Sequence, residues 1–146
     1  MGPLRRSRTR FAMLLAGTVG CGDPSPALRD RADLVSPCEV EVRAAVLRPG
    51  LLFEGEGIVA RVLALSPDPP AAAATNAWTL ELEPAPLEAP NVAMVMPDHG
   101  HGAPDGEAVL VEDGVDLWLD FTMPGFWEVT LASSDGVVVL PVCAAP

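Results

Sequence analysis

Apolar and polar residues alternate strictly over residues 78–83. The apolar positions are Trp78, Leu80 and Leu82, and the polar positions between them are Thr79, Glu81 and Glu83. Because successive side chains of a strand point to opposite faces, this pattern predicts a β-strand with one buried face. The same period over 115–122 predicts a second strand, whose outer face carries Trp118.

Turn residues separate the remaining apolar runs. Asp113-Gly114 lies between 108–112 and 115–122, and Ser133–Gly136 lies between 126–132 and 137–142, so each predicts a hairpin. Further strands are expected at 39–47, 58–65 and 91–96. The last should be buried on both faces or covered by a loop, because only its first residue is polar. Since long helical periods are missing, the fold class expected is all-β: an antiparallel, immunoglobulin-like β-sandwich of about seven strands.

The first 20 residues have a different character. Four arginines precede the apolar stretch Phe11–Val19, which ends at Gly20-Cys21. A stretch of about nine apolar residues is too short for a bilayer core that needs ~20, so it is typical of a signal peptide. A small residue directly before a cysteine resembles the end of a bacterial lipoprotein signal. Cys21 would then become the acylated N-terminus, which holds the protein to the membrane.

Two alternatives to a lipoprotein signal stay open. Thr18 occupies the position three residues before Cys21 where leucine is most common, so an ordinary secretory signal with an incidental cysteine is one alternative. The pair Arg5-Arg6 could instead direct twin-arginine export, although the residues after it fit that signal poorly. The organisation expected is a lipoprotein signal peptide at 1–20, a lipid anchor and flexible linker at 21–37, and a β-sandwich domain at 38–146.

The charge of the chain excludes some classes of binding partner. From Cys21 onward the chain has 20 acidic residues against five arginines, a net charge of −15, which makes nucleic acid and anionic headgroups poor partners.

The cysteines predict a disulfide. If Cys21 carries lipid, Cys38 and Cys143 remain, and an even number of cysteines in an exported chain predicts a disulfide between them. A redox-active or metal-binding pair is the alternative, but neither has a second cysteine two or three residues away.

Three blocks of sequence carry a family resemblance: Trp78–Leu82, Val92–Gly102 and Phe121–Val129. The most specific parts are Met-Pro-Asp-His-Gly-His-Gly at 96–102 and Phe-x-Met-x-Gly-x-Trp at 121–127. Together they resemble the YtkA-like domain family of small exported β-sandwich domains, which has FixH-like proteins as relatives. The resemblance covers residues 58–133 and implies an exported sandwich. It implies no single activity, and some relatives are linked to metal or respiratory-oxidase biology.

One cluster of residues has the chemistry of a metal site. His99 and His101, the two histidines of the chain, are two residues apart, so in an extended segment both imidazoles project to the same side. Met94 and Met96 share a face just upstream, and the resemblance implies that Met123 lies on a nearby strand. Thioether and imidazole ligands suit Cu(I). The candidate copper site therefore consists of His99, His101, Met96 and Met123, with Met94 in reserve.

The alternative is a structural role for the same residues. Methionine in an apolar strand is commonly core filler, and histidines in a glycine-rich loop can bond to backbone carbonyls. A third possibility is a site for Cu(II) or Zn(II) made of the two histidines and Asp98. The four-ligand spacing of a structural zinc site is missing, however.

No motif of an enzyme is present in the sequence, neither a nucleophile elbow nor a phosphate loop. We therefore expect a non-enzymatic, lipid-anchored protein on the periplasmic side of the cell envelope that binds copper for carriage or delivery. The alternative function is an interaction or assembly module of an envelope complex, with an envelope protein as its partner and no metal of its own.

Overall fold

The computed structural model describes residues 37–146 of the chain. The predictions for the signal peptide, for Cys21 and for most of the linker therefore lie outside the described residues. The described chain starts with a one-turn helix, α1 (Pro37–Val40), and continues through nine strands. The strands are β1 (Leu52–Glu54), β2 (Val59–Ser66), β3 (Thr75–Glu83), β4 (Asn91–Met96), β5 (His101–Gly102), β6 (Glu107–Val111), β7 (Gly114–Asp120), β8 (Gly125–Ala132) and β9 (Val137–Ala144).

The strands form two sheets in which every neighbouring pair is antiparallel. Sheet A has the order β1-β2-β3-β7-β6, and sheet B has the order β5-β4-β8-β9. The predicted antiparallel sandwich is confirmed. The described part has nine strands rather than about seven, and the pattern could not indicate β1 and β5 because they contain only three and two residues. Among the described residues, no helix has the length and apolar character needed to cross a membrane.

Side chains from the inner faces of both sheets fill the core. In β3 the alternation predicted from the sequence is observed, because Trp78, Leu80 and Leu82 are buried. Phe121 lies between the rings of Trp78 and Trp127, with ring centroids 6.0 and 5.6 Å away. On the outer face of β7, Trp118 is 38% exposed, which confirms the orientation expected for it.

Two strand predictions are wrong. Residues 39–47 form the end of α1 and an irregular segment, in which Val42 is 93% exposed and only the Ala45 amide bonds to β9, at the Pro141 carbonyl. Proline suits the first turn of a helix, so Pro37 favours α1 over a strand. β4 is buried on one face only, because its other face belongs to the solvent side of an antiparallel sandwich.

The hairpin of β6 and β7 turns one residue earlier than Asp113-Gly114. Glu112 and Asp113 form the two-residue turn, and Gly114 begins β7. Gly114 has a φ of 149°, and a side chain there would collide with the Leu80 carbonyl of β3. Glycine is therefore required by the close approach of β7 to β3.

The predicted disulfide is confirmed. Cys38 of α1 is bonded to Cys143 of β9, with 5.5 Å between their Cα atoms. The bond joins the start of the described chain to its last strand. It thereby fixes the segment that follows α1 against the end of sheet B.

Candidate functional site

A tight turn at the end of β4 carries both histidines. We call residues 97–101 the histidine turn. Its first three residues, Pro97–His99, form a 3-10 helix that ends at Gly100. Gly100 has a φ of 65°, the left-handed region that glycine tolerates without strain, and its amide donates to the Met96 carbonyl at 3.2 Å. The chain then returns as β5, in which His101 is the pairing partner of Met96.

An arginine from a distant segment holds the histidine turn in place. Both terminal nitrogens of Arg43 donate to the Asp98 carboxylate, at 2.9 and 2.6 Å. The same guanidinium donates to Glu41 at 2.8 and 2.6 Å. Its carbon lies 4.2 Å from the centre of the Phe126 ring, within the range of a cation–π contact. We call this group of four side chains the Arg43 clamp.

The charges of the clamp stabilise one another. Hydrogen bonds from Arg43 lower the pKa of Asp98 and also the pKa of Glu41. The same bonds, to Glu41 first and then to Asp98, raise the pKa of Arg43. All three groups are therefore ionised at neutral pH. Because both oxygens of Asp98 accept from Arg43, this carboxylate could bind a metal only by giving up that pairing.

The methionines of β4 face the core. Met94 is 2% exposed and Met96 is 4% exposed, so their common face is the inner one. The Met96 methyl carbon lies over Gly125 at the start of β8, where an added Cβ would be 2.7 Å from it. Met123, two residues earlier, is half-buried against the core. Its carbonyl accepts a hydrogen bond from the Trp127 indole at 3.0 Å, which fixes the chain just before β8.

Three of the four predicted copper ligands thus belong to one end of sheet B. Met96 is paired with His101 and reaches Gly125 at the start of β8, two residues after Met123, and the 3-10 helix contacts the same strand. The fourth, His99, is exposed at the end of the 3-10 helix. Met94 lies deeper, opposite Val129. Among the described side chains, which do not include that of His101, no group of three or more histidine, cysteine, aspartate or glutamate residues could hold a metal ion.

Sequence reasoning missed Arg43, which is bonded to the histidine turn through Asp98. Arg43 and Asp98 are 55 residues apart, and neither stands in a motif that would connect them. The one available signal was scarcity: residues 37–146 hold three arginines among 17 acidic residues, so each arginine has many acids to pair with.

Comparison with known proteins finds no significant match to the chain, whether among family models, characterised proteins or solved structures.

Proposed function

We propose that this protein is a lipid-anchored β-sandwich of the cell envelope, related to the YtkA-like domains, which binds a copper ion for carriage or delivery. The observation that carries the proposal is the position of Met96 at one end of sheet B, where its backbone pairs with His101 and its methyl group lies over Gly125, two residues after Met123. Cys21 would carry the lipid and residues 22–37 would serve as the tether.

The donor set fits Cu(I). Thioether sulfur is a soft ligand and imidazole also suits copper, so two methionines with one or two histidines favour Cu(I) over harder divalent ions. The thioether of Met96 is shielded from solvent, and Asp98 beside the histidines is already paired with Arg43. These two features favour the soft ion over Cu(II) or Zn(II), for which a carboxylate ligand would be expected.

The charge of the domain supports cation binding at long range. Residues 37–146 carry 17 acidic side chains against three arginines. A field of this sign raises the local concentration of cations and speeds their arrival. It contributes nothing to the choice of ion, which would depend on the ligands.

A competition titration tests the proposal. The chain from residue 22 would be titrated with Cu(I) against a chelator of known affinity. We expect one ion to bind, and we expect binding to be lost in the double variant His99→Ala/His101→Ala without a fall in melting temperature. A large fall in melting temperature, with or without metal, would mean that the histidines are structural.

Two methionine variants provide a matched pair. Met96→Leu and Met94→Leu each replace a buried methionine of β4 by a side chain of similar volume, which usually costs less than ~1.5 kcal/mol. Met96→Leu should lose Cu(I) binding, whereas Met94→Leu should keep it. Equal binding by both variants would contradict the assignment of Met96 as a ligand.

The second candidate function is a metal-free interaction or assembly module for an envelope complex. The observation that favours it is the exposed edge strand β6, which has three half-exposed apolar residues in a row, Val109–Val111. No competition with the chelator by the wild-type protein would favour this second candidate.

A further inference from the structure

β6 is the long open edge of the described sandwich. The edge of sheet B at β9 is occupied at two positions by other segments, because its Pro141 carbonyl accepts from Ala45 and its Val137 exchanges two hydrogen bonds with Glu56. β1 and β5, the other two edges, have three and two residues. β6 has five residues and pairs only with β7 within the described chain. An open edge of this kind is a template for an added strand.

The pattern of hydrogen bonds between β6 and β7 shows which backbone amide and carbonyl groups of β6 face outward. Val111 and Gly114 close the two-residue turn, so they form a hydrogen-bonded pair, and such pairs alternate along an antiparallel ladder. Val109 and Glu107 therefore bond to β7. The amide and carbonyl groups of Ala108 and Leu110 point away from β7, and among the described residues no backbone hydrogen bond to another segment uses them.

Apolar side chains border this edge. Val109, Leu110 and Val111 are each about two-fifths exposed. Val109 and Val111 lie on the outer face with Trp118 of β7, whereas Leu110, which is paired with the buried Val115, lies on the opposite face of sheet A. A surface groove of about 450 Å³ separates the first half of β6 from β4. The β6 edge therefore offers an added strand unpaired backbone groups for hydrogen bonding, apolar side chains for contact, and a groove on one side of sheet A.

The charge around β6 indicates which kind of segment could bind at this edge. We call residues 104–120 the acidic hairpin, because they contain six acidic residues and no basic one. The acids are Asp105, Glu107, Glu112, Asp113, Asp116 and Asp120. Pairing β6 with β6 of a second copy would bring two acidic hairpins side by side, which like-charge repulsion disfavours. A segment with basic residues is the complement.

We propose that β6 docks an extended segment of another protein, in which apolar and basic residues alternate, as an added strand of sheet A. Main-chain bonds to Ala108 and Leu110 would supply affinity. Successive side chains of the added strand would face opposite sides of sheet A. The basic ones would lie on the outer face beside Glu107 and Asp116, and the apolar ones on the other side, beside Leu110 and the groove. This inference names the partner chemistry for the interaction role and does not depend on a copper site.

The probe is a synthetic peptide of alternating lysine and valine, with about eight residues so that it spans β6 and its ends. A peptide of alternating glutamate and valine is the control. Binding to the full-length protein would be followed by tryptophan fluorescence, since Trp78 and Trp127 are buried and Trp118 is exposed. We expect saturable binding of the lysine peptide that weakens with salt, and no binding of the glutamate peptide.

Two variants locate the binding edge. Ala108→Pro removes an amide that faces outward, which an edge strand tolerates, and should weaken binding about tenfold or more. Val109→Lys should weaken it through like charge, whereas Val139→Lys should bind as wild type does, because Val139 is similarly exposed (42% against 41%) but lies on sheet B. If Ala108→Pro does not fold, the comparison of Val109→Lys with Val139→Lys tests the proposal instead.

Three results would overturn the proposal. They are equal binding of both peptides, unchanged binding by Val109→Lys, and equal loss of binding by Val139→Lys. Sedimentation of the wild type as a dimer that Val109→Lys converts to a monomer would also overturn it, because the edge would then belong to a second copy of this chain. The copper titration is unaffected by any of these outcomes.

Discussion

The buried side chain of Asn76 allows a quantitative prediction. Asn76, at the second position of β3, is the one fully buried polar side chain among the described residues. Its amide nitrogen donates to the carbonyls of Ala71, Ala74 and Leu119 at 2.8, 2.9 and 3.2 Å, and its oxygen accepts from the Ala71 amide at 2.9 Å. It therefore fixes the loop before β3 and also bridges to β7.

The size of the effect follows from those four contacts. The amide nitrogen has two hydrogens for its three acceptors, so the contacts amount to about three hydrogen bonds at ~1 kcal/mol net each. Because the loop groups released by Asn76→Ala can partly reach water, this variant should lose about 2–4 kcal/mol of unfolding free energy. Asn76→Asp keeps the shape but turns a carboxylate toward three carbonyl oxygens. A buried charge without a partner costs ~3–5 kcal/mol, so at neutral pH the aspartate variant should be the less stable of the two.

Urea unfolding followed by near-ultraviolet circular dichroism measures both variants. The carbonyl oxygens favour the protonated carboxyl in the folded state, so the deficit of Asn76→Asp should be largest at about pH 7 and should shrink at about pH 4. Asn91→Asp, at the exposed first position of β4, is the matched control and should change stability by less than ~0.5 kcal/mol. The reasoning is refuted if Asn76→Asp is as stable as the wild type at neutral pH.

Three further predictions concern the disulfide, the clamp and the anchor. The double variant Cys38→Ser/Cys143→Ser should lose up to ~4.8 kcal/mol of unfolding free energy, because the bond closes a separation of 105 residues, and an unchanged urea midpoint would contradict this. In Arg43→Met the pKa of Asp98 should rise toward its ordinary value. The stabilisation from this pair, which is present at neutral pH and is lost as the pH falls through the lowered pKa, should then vanish. Carboxyl ¹³C titration measures the pKa, and an unchanged pKa of Asp98 in the variant would exclude the clamp. Cys21→Ser should move the protein from the membrane to the soluble fraction, and unchanged membrane association would defeat the lipid anchor.

Local pattern predicted most of the fold. The strict alternation of 78–83 and the turn residues before β7 and β9 are short-range signals, and each corresponds to an observed strand or hairpin. The segment 39–47 misled the same reasoning, because Val40, Val42 and Val46 resemble strand residues but lie on the surface. Exposed apolar residues carry no mark in the sequence that distinguishes them from core residues.

The candidate site was predictable only in part. The spacing of the histidines and the shared face of Met94 and Met96 followed from periodicity, and burial of both methionines confirms that face. The Arg43–Asp98 contact joins segments 55 residues apart, so no local pattern could indicate it. A long-range ion pair of this kind depends on the packing of the segment after α1 against sheet B, which only the folded chain reveals.

The proposed copper site is tested most directly by methyl NMR of the methionines. The chain after Cys21 contains three methionines, Met94, Met96 and Met123, so ¹³C-methyl labelling gives three signals. Cu(I) has a filled d shell and does not broaden signals by paramagnetism, so shifts report contact with the ion. We predict that the Met96 and Met123 methyl signals move with one equivalent of Cu(I) while that of Met94 stays in place. No shift at Met96 and Met123, or a shift at Met94 alone, would contradict the site.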